Sequence, residues 1–201
     1  MGRPKEHGED TREALLEAAE RLLADEGPGA VTVRRVADEV GTSTRAIYSV
    51  FGGKEGLYSA LFRKAADTFR RLAEAVPRQS DPVDELIPLG LSYRQSALAE
   101  PNLYGLLFDR AVPDFVPTDE DLQFARRSQE RVLDTVRRCA DAGVLPASDA
   151  EATFNALWGV VHGLASLELI GCFGPPEAAE VVWRSALPTF VRGLTLPHDE
   201  P

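Results

Sequence analysis

Hydrophobic residues recur along this chain at intervals of three and four, and a period-two alternation is nowhere sustained. Leu15, Leu16, Ala19, Leu22 and Leu23 form the first stripe, which the pattern opens at a capping pair, Asp10 and Glu13, and closes at Gly27-Pro28-Gly29. Two short stripes follow. Val33, Val36, Ala37 and Val40 stand behind a capping Thr32, and Ile47, Val50 and Phe51 stand behind Thr42 or Ser43, with Gly41 between the two. A longer stripe runs from Lys54 through Leu57, Tyr58, Leu61, Phe62, Ala65, Phe69 and Leu72 to Pro77. Past an interruption at 78–82, helices are predicted over 83–99, 101–111, 119–142, 149–170 and 176–194. Thr118 ahead of three acidic residues and Ser148 with Glu151 supply caps, and Pro188 predicts a kink in the last helix. The expected fold class is all-α.

The two short stripes have a particular geometry. A glycine at 41 enters the left-handed conformation without steric cost, so one helix stops and the next starts within three residues, as in a helix-turn-helix. On the second helix Thr44, Arg45, Tyr48 and Ser49 face away from Ile47, Val50 and Phe51. That outer face suits duplex DNA. Arg45 matches the paired acceptors of guanine, and Ala46 a thymine methyl. The hydroxyls of Thr42, Ser43, Thr44, Tyr48 and Ser49 suit phosphates or base edges. Lys54, opening the next helix, falls beside the backbone of such a duplex.

Net charge is −10, which sits badly with a polyanionic partner until its distribution is examined. Residues 1–75 carry 12 basic and 13 acidic side chains, whereas residues 76–201 carry 10 and 19, so the acid lies in the C-terminal part. Between Val31 and Lys54 the basic residues Arg34, Arg35, Arg45 and Lys54 outnumber Asp38 and Glu39. A patch of this size predicts few phosphate contacts per subunit. The start of the chain, through Asp10, is polar, with no hydrophobic stretch behind it. It reads as a loose arm whose Gly-Arg-Pro-Lys segment either enters a minor groove or is an ordinary charged terminus. Together with the lack of a bilayer-length apolar run, this predicts a cytoplasmic protein with no membrane partner. Cys139 and Cys172 are too few and too far apart for a metal site and read as buried thiols. His7, His162 and His198 lie in no nucleophile or metal motif, so no catalytic residue, metal or cofactor is expected.

The stretch G-T-S-T-R-A-I-Y-S-V-F, followed by G-G-K-E-G-L, resembles the DNA-binding signature of the tetracycline-repressor (TetR) family of transcriptional regulators. The resemblance covers residues 11–62. It implies that Thr32, Thr42, Ser43, Thr44, Arg45, Tyr48 and Lys54 lie at the DNA, with Tyr48 and Lys54 on phosphates. Gly53 departs from the small polar residue more usual in the family, and Gly56 is expected to weaken the next helix by roughly 1 kcal/mol relative to alanine. The domains expected are an N-terminal three-helix helix-turn-helix domain at 9–55 and a C-terminal helical ligand-binding and dimerisation domain at 56–197.

In the second domain, Tyr93, Leu103, Tyr104, Leu107, Phe108, Phe115 and Phe124 gather around a prolyl loop and are candidates to line a pocket, although rings at helical spacing equally fill a core. Trp158 and His162 lie four apart in L-W-G-V-V-H-G-L, a segment that resembles the Trp-His-Gly type of TetR-family C-terminal domain, and join that candidate set. Small residues at Ala156, Gly159, Gly163 and Ser166 permit close helix approach. With Val182, Leu187, Phe190 and Leu194 they are candidates for a four-helix dimer seam. The function expected is a homodimeric repressor of a palindromic operator, released by a small-molecule effector. Activation is the alternative in the same class. A helical enzyme or a protein-binding adaptor are the alternatives outside it.

Overall fold

A computed structural model of the chain describes residues 5–108, 112, 115–145 and 150–195, which form ten α-helices; no strand occurs among the described residues. The helices divide into two compact units. The first takes in the chain up to residue 67 and residues 100–126; the second takes in 68–99 and the chain from 127 onward. The first unit is therefore discontinuous in sequence and reaches beyond residues 9–55.

Unit one contains α1 (Lys5–Glu26), α2 (Val33–Val40), α3 (Thr44–Phe51), the first part of α4 (Lys54–Ala75), α6 (Pro101–Phe108) and nearly all of α7 (Asp119–Arg127). Its core joins Leu15, Ala19 and Leu23 of α1 with Val36, Ile47, Leu57 and Leu61, and Leu103 and Leu106 of α6 pack into the same cluster. Since α1 already runs from Lys5, Asp10 and Glu13 do not start it; its polar first turns carry no apolar stripe from which a start could be read. Residues 1–4, and with them most of the proposed minor-groove arm, lie outside the described residues.

Unit two contains the last turns of α4, α5 (Val83–Ala99), α8 (Glu130–Asp141), α9 (Ala150–Leu169) and α10 (Pro176–Thr195). Leu86, Val136, Cys139 and Leu157 centre its core. Glu85 of α5 is wholly buried there. It accepts hydrogen bonds from the Gln79 amide at 2.9 Å, Arg138 Nη1 at 2.6 Å and Thr135 Oγ1 at 3.1 Å, and pairs with Arg131 Nη2 at 2.7 Å. Burial by itself would raise this carboxyl; the amide, the two guanidinium groups and the hydroxyl outweigh it and bring its pKa down to about 2. A second, partly buried set ties three helices: Glu168 of α9 takes both arms of Arg94 at 2.6 and 2.9 Å and the indole N–H of the fully buried Trp183 at 2.6 Å. Leu187 packs within the core of this unit, where a Cβ on Gly90 would come within 2.9 Å of it.

Two further expectations need correction. The helix expected over 119–142 is two helices, interrupted at Ser128 and Gln129, because α7 belongs to the core of unit one and α8 to that of unit two. Cys139 is buried, with its thiol pushed up to about 11 by burial, but Cys172 is exposed in the turn after α9. The last helix continues through Pro188 to Thr195. Ala111 and Ser148, an expected helix end and cap, lie outside the described residues.

Candidate nucleic-acid interface

The reading unit is held by its turns. Thr32 caps α2, its hydroxyl accepting the Arg35 N–H at 3.2 Å. Gly41, at φ 70°, closes α2 in a Schellman motif: its N–H donates to Asp38 O at 3.1 Å, and the Thr42 N–H donates to Ala37 O at 2.9 Å. Ser43 precedes α3 with extended backbone and no side-chain cap bond, so the expected capping hydroxyl is not engaged in that way. Ile47 is completely buried, and Val50 and Phe51 pack beside it.

The opposite face of α3 is open. Ser43, Thr44, Arg45 and Ser49 are exposed, and Tyr48 is 60% exposed, an unusual placement for an aromatic ring. Arg45 makes no ion pair among the described residues. Ala46 is partly buried against the core rather than part of this outer face, and Thr42 is partly buried in the turn. The Tyr48 ring lies across buried Gly53, where a Cβ would stand 3.3 Å from its Cε1. The departure at Gly53 thus leaves room for that ring. Lys54 is exposed at the start of α4, its ammonium 5.6 Å from the centre of the Tyr58 ring.

The other two candidate arginines are differently placed. Arg35 forms a two-armed pair with Glu26 at the end of α1, at 2.6 and 2.7 Å, and this guanidinium holds the Glu26 carboxyl below its ordinary range. Arg34 stands 4.0 Å from Asp38, with both side chains in solvent, a pair worth little.

Sequence reasoning missed the support beneath this face. Tyr58 donates to Pro28 O at 2.8 Å and Val31 O at 3.1 Å, fixing the loop that leads to the Thr32 cap. Asp121, fully buried, accepts from Arg63 Nε at 2.6 Å, Ser59 Oγ at 2.9 Å, and the Thr118 amide and hydroxyl at 3.0 and 2.8 Å. Burial would raise its carboxyl; these donors outweigh burial and hold it below the usual carboxylate range. The Thr118–Asp121 spacing is a capping pattern visible in the sequence. Its partners 58 and 62 residues away are not.

The pocket candidates fall in both units. Leu103 and Tyr104 are buried in the first, where Leu107 and Phe115 pack on the core cluster, Tyr104 meets Phe108 at 4.9 Å between ring centres, and Phe124 is partly buried on α7. Tyr93, Trp158 and His162 come together in the second: Tyr93 Oη lies 3.0 Å from His162 Nδ1, the Trp158 and His162 rings are 6.2 Å apart, and Phe69 packs tilted against Tyr93 at 4.9 Å between ring centres. Among the seam candidates, Ala156 and Gly159 are exposed and Gly163, Ser166, Val182, Phe190 and Leu194 are partly buried, but Leu187 belongs to the interior. Val182 and Phe190 line an open, mostly apolar groove of about 620 Å³ with Val160, Val181, Ser185, Ala186 and Thr189. No helix among the described residues is long and apolar enough to cross a membrane.

A polar, exposed second helix held by a left-handed glycine turn over a helical core defines a helix-turn-helix DNA-binding protein. Residues 15–61 match the family described as bacterial regulatory proteins, tetR family, and residues 86–190 match the tetracyclin repressor-like C-terminal domain. The chain belongs to the TetR family and is a DNA-binding transcriptional regulator, not an enzyme. The HTH-type transcriptional regulator TtgR of Pseudomonas putida is 29% identical over 175 residues, covering 81% of each chain. The HTH-type transcriptional repressor AcnR of Corynebacterium glutamicum is 42% identical over 67 residues, 33% of this chain and 34% of its own. Among solved structures, a protein with unknown function from Rhodococcus sp. RHA1 matches with a TM-score of 0.78 at 26% identity, over 97% of this chain and 100% of that one. A TetR variant from Acinetobacter baumannii AYE, in complex with minocycline, matches in fold with a TM-score of 0.62 at 18% identity, over 89% and 93%.

Proposed function

We propose that this chain is a homodimeric repressor that reads a palindromic operator in the cytoplasm with the outer face of α3 and is released by a small molecule bound in its second unit. The open face carrying Arg45, Tyr48, Thr44 and Ser49, with Lys54 beside it, is the observation that carries the reading. Arg45 is the base reader, Tyr48 and Lys54 the phosphate contacts, and Thr32, Thr42, Ser43 and Arg34 the flanking ones. Arg35, committed to Glu26, and Ala46, turned toward the core, contribute by holding α2 and α3 in place.

A gel shift on the DNA flanking its gene tests this. Arg45→Ala is expected to cost about 1–3 kcal/mol, a 5- to 150-fold loss of affinity. Tyr48→Ala should weaken binding to all sequences alike. If both variants shift the DNA as well as wild type does, α3 is not the reading helix.

One recognition helix reads only a few base pairs, so two must be held about 34–36 Å or a further turn apart. The apolar groove between α9 and α10, and the open Ala156 and Gly159, favour a seam between two copies, with Gly163, Ser166, Val182, Phe190 and Leu194 beside them. Light scattering is expected to give twice the 21.9 kDa chain mass at micromolar concentration. A monomer there would sink the dimer.

Tyr93 and His162, enclosed by Phe69 and Trp158, offer one polar anchor in aromatic surroundings. The minocycline complex of the Acinetobacter relative supports a small molecule as the kind of ligand. A coupling of about 1–3 kcal/mol between the effector and DNA sites gives a 5- to 150-fold release, provided the ligand prefers the DNA-incompetent arrangement.

A further inference from the structure

Asp121, a buried carboxylate that accepts four hydrogen bonds, lies on none of the surfaces assigned above. Capping α7 does not require it to be buried: a Thr118 hydroxyl and an acidic side chain three residues on satisfy the helix end in solvent. A buried carboxylate is costly unless several donors meet it. Here the donors come from a second helix. Ser59 and Arg63, four residues apart and hence on one face of α4, reach its two oxygens separately, at 2.9 Å to Oδ2 and 2.6 Å to Oδ1. The neighbouring residues of α4 hold the reading unit: Tyr58 pins the loop before α2 through Pro28 and Val31, and Lys64 Nζ reaches Glu20 of α1 at 2.7 Å. Over seven residues α4 therefore ties together α1, the approach to α2, and α7.

We propose that Asp121 is a positioning residue for operator binding, acting through Ser59 and Arg63 to set α4 in the register in which Tyr58 fixes the helix-turn-helix. It touches no DNA itself. The chain passes between the two units within α4, between 67 and 68, and again at 126–127 at the end of α7, so this carboxylate joins two of the helices in which the chain crosses from one unit to the other.

The inference rests on the operator-binding reading, and its test separates the two. A duplex selected from a random pool by the wild-type protein is titrated at several salt concentrations with wild type, Asp121→Asn, Arg63→Gln and the double variant, each checked for native content by circular dichroism. Asp121→Asn is expected to weaken binding at least tenfold with the slope of log affinity against log salt unchanged, since no phosphate contact is removed. The double variant should be no weaker than the worse single one. A lowered melting temperature with unchanged affinity of the folded protein makes Asp121 merely structural and overturns the proposal; so does a salt slope reduced by about one, which would mark a lost phosphate contact. If Asp121→Asn does not fold, Ser59→Ala, which removes one donor of four, carries the test: a several-fold loss supports positioning, and unchanged affinity overturns it. Should the wild type select no duplex, the operator-binding reading itself fails, and the inference with it.

Discussion

Glu85→Ala is expected to destabilise the second unit by roughly 3–5 kcal/mol, the range for removing one partner of a buried ion pair. The cost does not come from the lost attraction alone. Arg131, 7% exposed, would keep its charge with no carboxylate beside it, and the Gln79 amide and Arg138 would lose their common acceptor. Glu85→Gln, which keeps the shape and one carbonyl acceptor, should cost less. Both tryptophans of the chain, Trp158 and Trp183, lie in the second unit, so their fluorescence in a urea titration follows this unit and not the first. A loss below 1 kcal/mol for Glu85→Ala would mean that the cluster is not held as described.

The same carboxylate gives an acid transition its sign. Its pKa falls from an ordinary 4.5 to about 2 on folding, so the unfolded chain binds the proton first as acid is added. The stabilisation is complete above the unfolded value and is lost as pH drops from about 4.5 toward 2; a shift of this size corresponds to something on the order of 3 kcal/mol. Wild type should therefore lose fluorescence-monitored stability across that window, and Glu85→Gln should lose less of it.

What the sequence made legible was local. Thr32, Gly41 and the stripe from Val33 to Phe51 specify the first cap, the turn and the buried face within about twenty residues, and the structure has these in place, though not the hydroxyl cap expected on α3. The clusters around Glu85 and Asp121 bring together side chains from helices 46 to 62 residues apart, and in sequence each charged member looks like a surface charge on an amphipathic helix. Arg35 has a partner hidden from the sequence for a related reason. Its position on α2 gives a polar side chain, but only the fold brings Glu26, from the end of α1, to within 2.6 Å of it. Periodicity also ran α7 into α8, because an apolar stripe does not record which core it covers. The pocket candidates divide between the two units on the same ground: ring spacing shows that a side chain is inward, not what it meets there.

Gly56 reverses its sequence reading most completely, and Gly56→Ala is expected to abolish operator binding and destabilise the first unit by about 3 kcal/mol or more. Helix propensity alone favours alanine there by roughly 1 kcal/mol. A Cβ at this position would lie 1.8 Å from the carbonyl oxygen of Phe51 and 2.9 Å from its carbonyl carbon, far inside any contact a methyl tolerates. Side chains absorb such overlaps for about 1–3 kcal/mol, whereas this one falls on backbone and can be relieved only by moving the end of α3 away from the start of α4. The junction has little play for that. Gly52 at φ 77° and Gly53 at φ 132° already turn the chain through conformations that other residues rarely adopt, and Gly53 lies under the Tyr48 ring. Relief of the clash would therefore displace Tyr48 and Lys54 together, the two phosphate contacts proposed on either side of the junction. Thermal melts by circular dichroism and gel shifts on the same preparation check both halves: an alanine variant that melts with wild type and still binds would show that α3 and α4 are not packed this closely.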